Sequence, residues 1–209
     1  MTESTSAVPS PSLRERRRHQ TESEICRSAL DLFERFGVAA TTVEQIAEAA
    51  GVSARTVFRY FPHKEDAALV PHRDIEATVT RRLAAFDGTA PLLPQLEQMW
   101  EEILTGFDNG DSDSGRQMLR VWCLISQEPT LLAASLRAEA ERMEQTVAVL
   151  REALGTDADD LRPRLAAESL STLGRVTIET WAARRAAGRD VDLLDTFRQA
   201  REAAHRLIE

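Results

Sequence analysis

Apolar residues recur at helical spacing along most of this 209-residue chain. The first stripe occupies positions i, i+4, i+7, i+8 and i+11 and consists of Ile25, Ala29, Leu32, Phe33 and Phe36. Alternation of β-branched and polar residues, which would indicate strands, is nearly absent, and both glycine (9) and proline (8) are scarce. The sequence therefore predicts an all-α fold of about nine to ten helices.

Cap and breaker residues set the expected boundaries of these helices. Gly37 ends the first helix, and Thr41 or Thr42 begins the second, since each has a Glu or Gln three residues later. Ser53 is a candidate N-cap for the third helix, Pro71 breaks or kinks the fourth, and the polar segment 108–115 predicts a loop. The predicted helices are 13–36, 43–50, 53–60, 64–70 resuming to 83, about 91–107, one that stops before Pro129, a long one that ends at Gly155, 161–187 and 192–208.

Composition excludes several classes of protein. No run of apolar residues is long enough to span a membrane, and residues 1–12 lack the apolar core of a secretion signal, so we expect a disordered tail there. The two cysteines, Cys26 and Cys123, cannot build a disulfide framework or a zinc site, which favours the reducing cytoplasm. An enzyme is not indicated, because no catalytic motif surrounds the scattered histidines His19, His63, His72 and His205.

Residues 43–60 have the spacing of a helix-turn-helix, a motif whose second helix enters the DNA major groove. Two helices approach closely only where the facing residues are small, as Ala47, Ala50 and Gly51 are. Val52 and Val57 supply apolar side chains for the small core beneath. This segment is the candidate DNA-binding motif.

Positive charge is concentrated near this motif although the net charge is −8. Residues 13–20 hold four arginines against one glutamate, and residues 51–64 hold Arg55, Arg59 and Lys64 with no acid. An acidic protein with a local basic surface is compatible with DNA binding, because the local charge decides contact with phosphates.

The run TTVEQIAEAAGVSARTVFRYFPHKEDAAL, residues 41–69, closely resembles the N-terminal domain of the tetracycline-repressor (TetR) family, and ALDLFERFG, residues 29–37, extends the match. The resemblance implies a bacterial, cytoplasmic repressor that joins the nucleoid when bound to DNA. It also implies a homodimer with a helix-turn-helix domain over 13–70 and a ligand-binding and dimerisation domain over 71–209. His63 departs from the family, which usually has a better helix cap there.

By the same resemblance, five residues should hold DNA phosphates: Thr42, Ser53, Thr56, Tyr60 and Lys64. Hydroxyls and N–H groups at helix N-termini suit that role. The predicted solvent side of the third helix offers Ala54, Arg55 and Arg59 as base readers, and Phe58 completes the predicted contact set. A solvated helix face is the alternative for the two arginines. Four more arginines form either a DNA-contacting arm or a frayed basic tail: Arg14, Arg16, Arg17 and Arg18.

The C-terminal half supplies candidates for a ligand cavity and a dimer seam. The predicted cavity wall is Met99, Trp100, Ile103, Phe107, Met118, Trp122, Met143 and Trp181, for which ordinary core packing is the alternative. Helix 161–187 is rich in small and hydroxyl residues, so we place the seam on it and on 192–208, as a four-helix bundle. Those residues are Ala166, Ala167, Ser169, Ser171, Thr172 and Gly174.

A second resemblance concerns the effector. PTLLAASLRAEAERME (129–144) and GTDADDLRPRLAAESL (155–170) resemble the branch of the family with mycofactocin-associated and acyl-CoA-responsive regulators. That resemblance implies a fatty acyl-CoA with Arg116, Arg120 or Arg137 near its phosphates, the alternative for each being a surface salt bridge. No cofactor or metal is expected. The rival function is a ligand-independent architectural DNA-binding protein with the same helix-turn-helix.

Overall fold

The computed structural model describes residues 12–86 and 90–208. Within them the chain is all-helical and has no strands, which confirms the predicted fold class. The predicted tail, 1–12, lies outside the described residues apart from Ser12. The helices are α1 Leu13–Phe36, α2 Val43–Ala49, α3 Ala54–Tyr60, α4 Lys64–Ala68, α5 Val70–Leu83, α6 Leu92–Thr105, α7 Asp113–Ile125, α8 Pro129–Leu154, α9 Arg162–Ala186 and α10 Leu193–Ile208, with a 3-10 turn at Asp108–Gly110.

The start of α2 distinguishes the two threonines that precede it. Thr42 is the N-cap: its hydroxyl accepts a hydrogen bond from Gln45 N (3.2 Å), and its own N–H donates to Gln45 Oε1 (2.8 Å). This is the reciprocal capping box. Thr41 is buried instead, and its hydroxyl donates to the Gly37 carbonyl (2.9 Å). Of the two predicted registers, the one that begins at Thr42 is therefore used.

The break between α4 and α5 lies before the residue expected to cause it. The sequence predicts a helix to residue 70 that is interrupted at Pro71, but α4 ends at Ala68 and α5 begins at Val70. Pro71 is in the first turn of α5, where its missing N–H needs no partner, so it is tolerated there. Leu69 is the junction, and its N–H bonds to the Asp66 carbonyl (3.2 Å).

The predicted loop 108–115 is wrong at both ends. Asp108–Gly110 forms the 3-10 turn, and α7 begins at Asp113 because the Ser112 hydroxyl accepts a hydrogen bond from Gly115 N (3.0 Å). Asn109 has the left-handed φ of 50°, and its Oδ1 accepts from Trp181 Nε1 (3.2 Å) and Leu193 N (2.9 Å). One side chain thus ties this turn to α9 and to the start of α10.

The hydrophobic core runs without interruption from the N-terminal helices into the C-terminal bundle. Ile25 and Phe33 of α1 are buried with Ile46, Val57 and Phe61, and α1 packs on α2 and α4 while α2 packs on α3. Helix α7 contacts both groups of helices, since it packs on α1, α5, α8 and α9. No helix in residues 12–86 and 90–208 is long and apolar enough to cross a membrane.

Candidate nucleic-acid interface and effector cavity

Helix α3 buries one face and presents the other to solvent. Val57 is buried against the core, whereas Arg55, Phe58 and Arg59 are exposed, with 54% of the Phe58 surface accessible. Ala54 is only half-buried. Two exposed arginines and an exposed aromatic ring are therefore available on the predicted DNA-facing side.

The turn before α3 explains this presentation. Gly51 takes the left-handed φ of 66°, which a glycine adopts without strain, and Val52 N donates to the Ala47 carbonyl (2.9 Å). Ser53 then caps α3, because its hydroxyl accepts from Thr56 N (3.1 Å) and lies 2.8 Å from the Thr56 hydroxyl. The predicted phosphate ligands Ser53 and Thr56 thus meet at the N-terminus of α3.

Arginines of α1 and α3 share a cleft at the end of the motif. Its lining includes Arg14, Arg17, Arg18, Arg59 and Tyr60. The guanidinium carbon of Arg59 lies 5.2 Å from the Tyr60 ring centroid, and that of Arg18 lies 5.9 Å from it. A cleft lined by four arginines suits an anion, and the position of Arg59 in it favours contact with phosphate over contact with a base.

The predicted basic arm is helical rather than extended. Arg14, Arg16, Arg17 and Arg18 lie in the first two turns of α1, which begins at Leu13. Arg16 N donates to the Ser12 carbonyl (3.0 Å), as a residue in the first helical turn does. These arginines therefore keep a fixed spacing relative to α3.

Lys64 is bound within the protein. Its ammonium donates to the carbonyls of Val38 (2.6 Å), Thr41 (2.7 Å) and Ala39 (3.5 Å), all in the loop between α1 and α2. An ammonium has three protons, so these three carbonyls use its donors. The phosphate contact that the resemblance implies would require Lys64 to leave them. The doubtful cap at His63 is resolved as well: its N–H donates to the Asp66 carboxylate (3.1 Å).

A cavity of about 450 Å³ lies among α5, α6, α7, α8 and α9. Three of the eight predicted wall residues line it, namely Trp100, Trp122 and Met143. Ile103 and Phe107 line a separate cleft of about 300 Å³. Met99, Met118 and Trp181 are buried in the core, where the Trp181 indole is held by Asn109. Ordinary packing therefore accounts for the last three.

Polar residues of α8 and α9 complete the cavity wall and were missed by the sequence reasoning. They include Glu139, Arg142, Ser171, Arg175 and Glu179. The Ser171 hydroxyl donates to Glu139, and Arg175 pairs with Glu179 (3.3 Å). The hydroxyl-rich pattern of helix 161–187 carries this signal, but the pattern alone does not distinguish a cavity wall from a dimer seam.

The residues predicted for the seam divide between two faces of α9. Ala167 and Gly174 are buried and line the cavity with the half-buried Ser171, so these three do not form an outer surface. Ser169 is exposed, Ala166 is half-buried, and Thr172 is exposed at the edge of the cavity, which it also lines. Residue size does not show which side of a helix a residue lies on. The helical period decides which of these residues face outward.

Two arginines connect the cavity helices to α1 and α4. Arg120 of α7 forms a fork with Glu34, with both distances 2.7 Å, and reaches Asp31 at 2.6 Å. The hydrogen bonds to Glu34 raise the pKa of Arg120 above its ordinary value, burial opposes them, and Asp31 adds to the rise. Arg137 of α8 pairs with Asp66 of α4 (3.2 Å).

Neither these two arginines nor Arg116 lines the cavity. Arg116 pairs with Asp113 and with the Asp111 carbonyl. All three cations that the resemblance placed near acyl-CoA phosphates are thus in ion pairs elsewhere. Among the described residues no cluster of His, Cys, Asp and Glu could hold a metal ion.

Comparison with known proteins gives a consistent result. Residues 25–70 match the sequence pattern of the family described as "Bacterial regulatory proteins, tetR family". The HTH-type transcriptional regulator TcmR of Streptomyces glaucescens is 33% identical over 184 residues, which cover 86% of this chain and 81% of that protein. The transcriptional regulator MftR of Mycobacterium tuberculosis is 26% identical over 168 residues, or 79% and 82% of the two chains.

A solved structure shares the fold. The crystal structure of NalD, the secondary repressor of the MexAB-OprM multidrug efflux pump in Pseudomonas aeruginosa, aligns with a TM-score of 0.57 at 21% identity. The alignment covers 90% of this chain and 96% of that one.

The position of Lys64 leads to the first prediction. We expect Lys64→Met, which keeps the aliphatic stem, to lower the free energy of unfolding by about 1–3 kcal/mol, because three carbonyls lose their donor. Urea denaturation of the full chain measures the change, with the exposed Arg55→Met as the control. An unchanged urea midpoint, together with a smaller salt dependence of DNA binding, would instead assign Lys64 to phosphate contact.

Proposed function

Because this chain belongs to the tetR family of bacterial regulatory proteins, we propose that it is a repressor that binds a pseudo-palindromic operator as a homodimer and is released by a small effector. It is a DNA-binding transcriptional regulator and not an enzyme. We assign DNA binding to residues 13–70, and effector binding and dimerisation to 71–209. The observation that carries the proposal is α3, which exposes Arg55, Phe58 and Arg59 beside a cleft lined with arginines.

Specific contacts come from the exposed face of α3. Arg55 can bind guanine O6 and N7 through two hydrogen bonds, and Phe58 and Ala54 can contact thymine methyl groups. The cleft of α1 and α3 arginines, with Arg59, Arg16 and Tyr60 at or near it, holds phosphates, as do the hydroxyls of Thr42, Ser53 and Thr56. The base contacts of α3 thus select the DNA sequence, and the phosphate contacts fix the position of α3 on the duplex.

The homodimer is supported by the outer face of α9. Leu165 (62% exposed) and Val176 (41% exposed) lie on it with the exposed Ser169 and Ala183. Helix α10 packs alongside and leaves 87% of Leu207 exposed. Exposed apolar and small residues of this kind suit the same face of a second copy, which gives a four-helix bundle. The pair would place two copies of α3 in successive major grooves.

The cavity favours an effector that is mainly apolar and not strongly anionic. Its 450 Å³ lies within the usual range of roughly 300–1,000 Å³ for small-molecule sites. Three glutamates and two arginines line it, so its formal charge is 2 − 3 = −1. An acyl-CoA, which carries several negative charges, finds no excess of cations there, and it is the less favoured form of this proposal.

Release would require a path from the cavity to the DNA-binding helices. Helix α7 carries Trp122 in the cavity wall and, two residues earlier, Arg120 in its fork with Glu34 of α1. Helix α8 likewise carries Leu136 in the wall and Arg137 against Asp66 of α4. An effector that prefers a different position of α7 or α8 would move both contacts, and it can shift the equilibrium only by that preference.

A ligand-independent architectural DNA-binding protein would have the same helix-turn-helix but would not need this cavity. Calorimetry with drug-like and acyl-CoA compounds separates the two functions. Intact operator affinity with no heat of binding from any compound favours the architectural protein.

Selection of bound sequences from random duplexes tests DNA recognition. With the selected site, we expect Arg55→Ala to lower affinity by the equivalent of about 1–3 kcal/mol and to leave affinity for random DNA unchanged. Arg59→Ala should weaken binding to both duplexes alike and lower the slope of log affinity against log salt by about one. If the two variants behave in the opposite way, Arg59 reads bases. If no sequence is enriched, the proposed function fails.

The ion pairs between helices provide a second test. We expect Arg120→Gln to weaken operator binding roughly fivefold, because α1 loses its fixed position on α7 and must be ordered again on the DNA. The matched control is Arg116→Gln on the same helix, whose partners lie within its own turn. Fluorescence anisotropy of a labelled operator measures both variants. Equal affinities for wild type and Arg120→Gln would show that this fork does not position the motif.

A further inference from the structure

Helix α3 has seven residues, and four of their side chains are already engaged within the protein. Val57 is buried in the core. The Thr56 hydroxyl lies 2.8 Å from the hydroxyl of the cap residue Ser53. Arg59 and Tyr60 line the cleft of α1 arginines, with the Arg59 guanidinium carbon 5.2 Å from the Tyr60 ring centroid. The side chains that remain for contact with bases are Ala54, Arg55 and Phe58.

These three side chains are of two chemical kinds. Arg55 is exposed, and its side chain forms no ion pair or hydrogen bond with any residue that the structure describes. Ala54 and Phe58 are four residues apart, so they lie on one side of the helix and form an apolar strip. Ala54 is short and half-buried, whereas 54% of the Phe58 surface is exposed. Phe58 is therefore the member of the apolar strip that can reach a base.

The two kinds of group match two features that base pairs present in the major groove. A guanidinium can donate two hydrogen bonds to O6 and N7 of guanine, and an apolar side chain can contact the C5-methyl group of thymine. The Phe58 ring has no N–H or O–H donor and no lone-pair acceptor, so it cannot read the donor and acceptor pattern of a base pair. The C5-methyl group is the apolar feature that is left for it to recognise.

The spacing along α3 sets the distance between the two contacts. Arg55 and Phe58 are three residues apart, an advance of about 4.5 Å along the helix. Successive bases of a strand are about 3.4 Å apart along the duplex axis. With the N-terminal part of α3 in the major groove, the two side chains therefore reach neighbouring base pairs.

We propose that each operator half-site contains a guanine, bound by Arg55, and in the adjacent base pair a thymine whose C5-methyl group packs on Phe58. The inference rests on the proposed function, because it takes α3 as the helix that enters the major groove. Phe58 then determines specificity for the methyl group, and Arg55 determines specificity for guanine. Loss of the methyl group alone leaves the hydrogen bonds of the base pair in place, so its effect on affinity isolates the contact with Phe58.

Deoxyuridine, which is thymidine without the C5-methyl group, tests the contact in the operator selected from random duplexes. Each thymine of one half-site is replaced in turn, and competition measured by fluorescence anisotropy with the full-length protein gives the affinity of each duplex. We expect a loss of about fourfold at the thymine that contacts Phe58, as for one methyl group that is no longer buried.

The variant Phe58→Ala should bind the thymine and deoxyuridine duplexes with equal affinity at that position, because the ring that contacts the methyl group is absent. The matched control is Phe36→Ala, since Phe36 is 50% exposed but is the last residue of α1. This variant should keep the fourfold preference for thymine. The deoxyuridine measurements on the wild-type protein need no variant, so they test the methyl contact even if Phe58→Ala folds poorly.

Replacement of each guanine by 7-deazaguanine, which lacks the N7 acceptor, identifies the partner of Arg55. The guanine bound by Arg55 is the one at which this replacement weakens binding by the wild type but not by Arg55→Ala. We expect it in the base pair next to the thymine that is sensitive to deoxyuridine.

The inference is overturned if no deoxyuridine weakens binding by the wild type, if Phe58→Ala keeps the preference for thymine, or if the sensitive thymine and guanine are not in adjacent base pairs. In each of these cases the selected operator is still bound, so the proposed DNA-binding function remains. Failure of the selection to enrich any sequence is the separate result that removes the proposed function and this inference together.

Discussion

The short helices of the DNA-binding motif depend on the hydrogen bonds at their ends. Helices α2 and α3 have seven residues each and α4 has five, and helices this short are unstable alone in water. Thr42 accepts from Gln45 N and Ser53 from Thr56 N at the starts of α2 and α3, and at the start of α4 the His63 N–H donates to Asp66. The Lys64 ammonium donates hydrogen bonds to the carbonyls of Val38 and Thr41, in the loop before α2. The residues that give this segment its recognisable pattern are thus also those that hold it together, and a match to the pattern cannot by itself assign them to DNA.

Sequence reasoning succeeded where a single local rule decides the structure. The end of α1 follows from its apolar stripe and from Gly37, and Ser53 marks the start of α3. It failed at Pro71, which is tolerated in the first turn of α5, and at 108–115, where a tertiary contact takes part. Asn109 is held by Trp181 and Leu193, which lie 72 and 84 residues away along the chain. A local sequence pattern does not indicate a contact with a residue that is so far away along the chain.

The same distinction applies to the candidate sites. That Val57 is buried and Arg55 exposed follows from helical period alone, so the DNA-facing side of α3 could be predicted. The orientation of Arg59 toward Tyr60 and the α1 arginines, the fork of Arg120 with Glu34, and the division of α9 into a cavity face and an outer face could not. Each of these needs the packing angle between two helices, which a single sequence does not specify.

Helix α9 links the two halves of the proposed regulator. Its inner face carries Gly174 against an indole of the cavity wall and Trp181 in the core, while its outer face carries the exposed Leu165 and Val176, which we propose contact a second copy. Because both faces belong to one continuous helix of 25 residues, a displacement caused by an effector cannot remain confined to the cavity. It must be taken up either at the outer face or by α7 and α8. In the proposed homodimer the outer face is held by a second copy, so α7 and α8, with Arg120 and Arg137, are where the displacement would reach the DNA-binding helices.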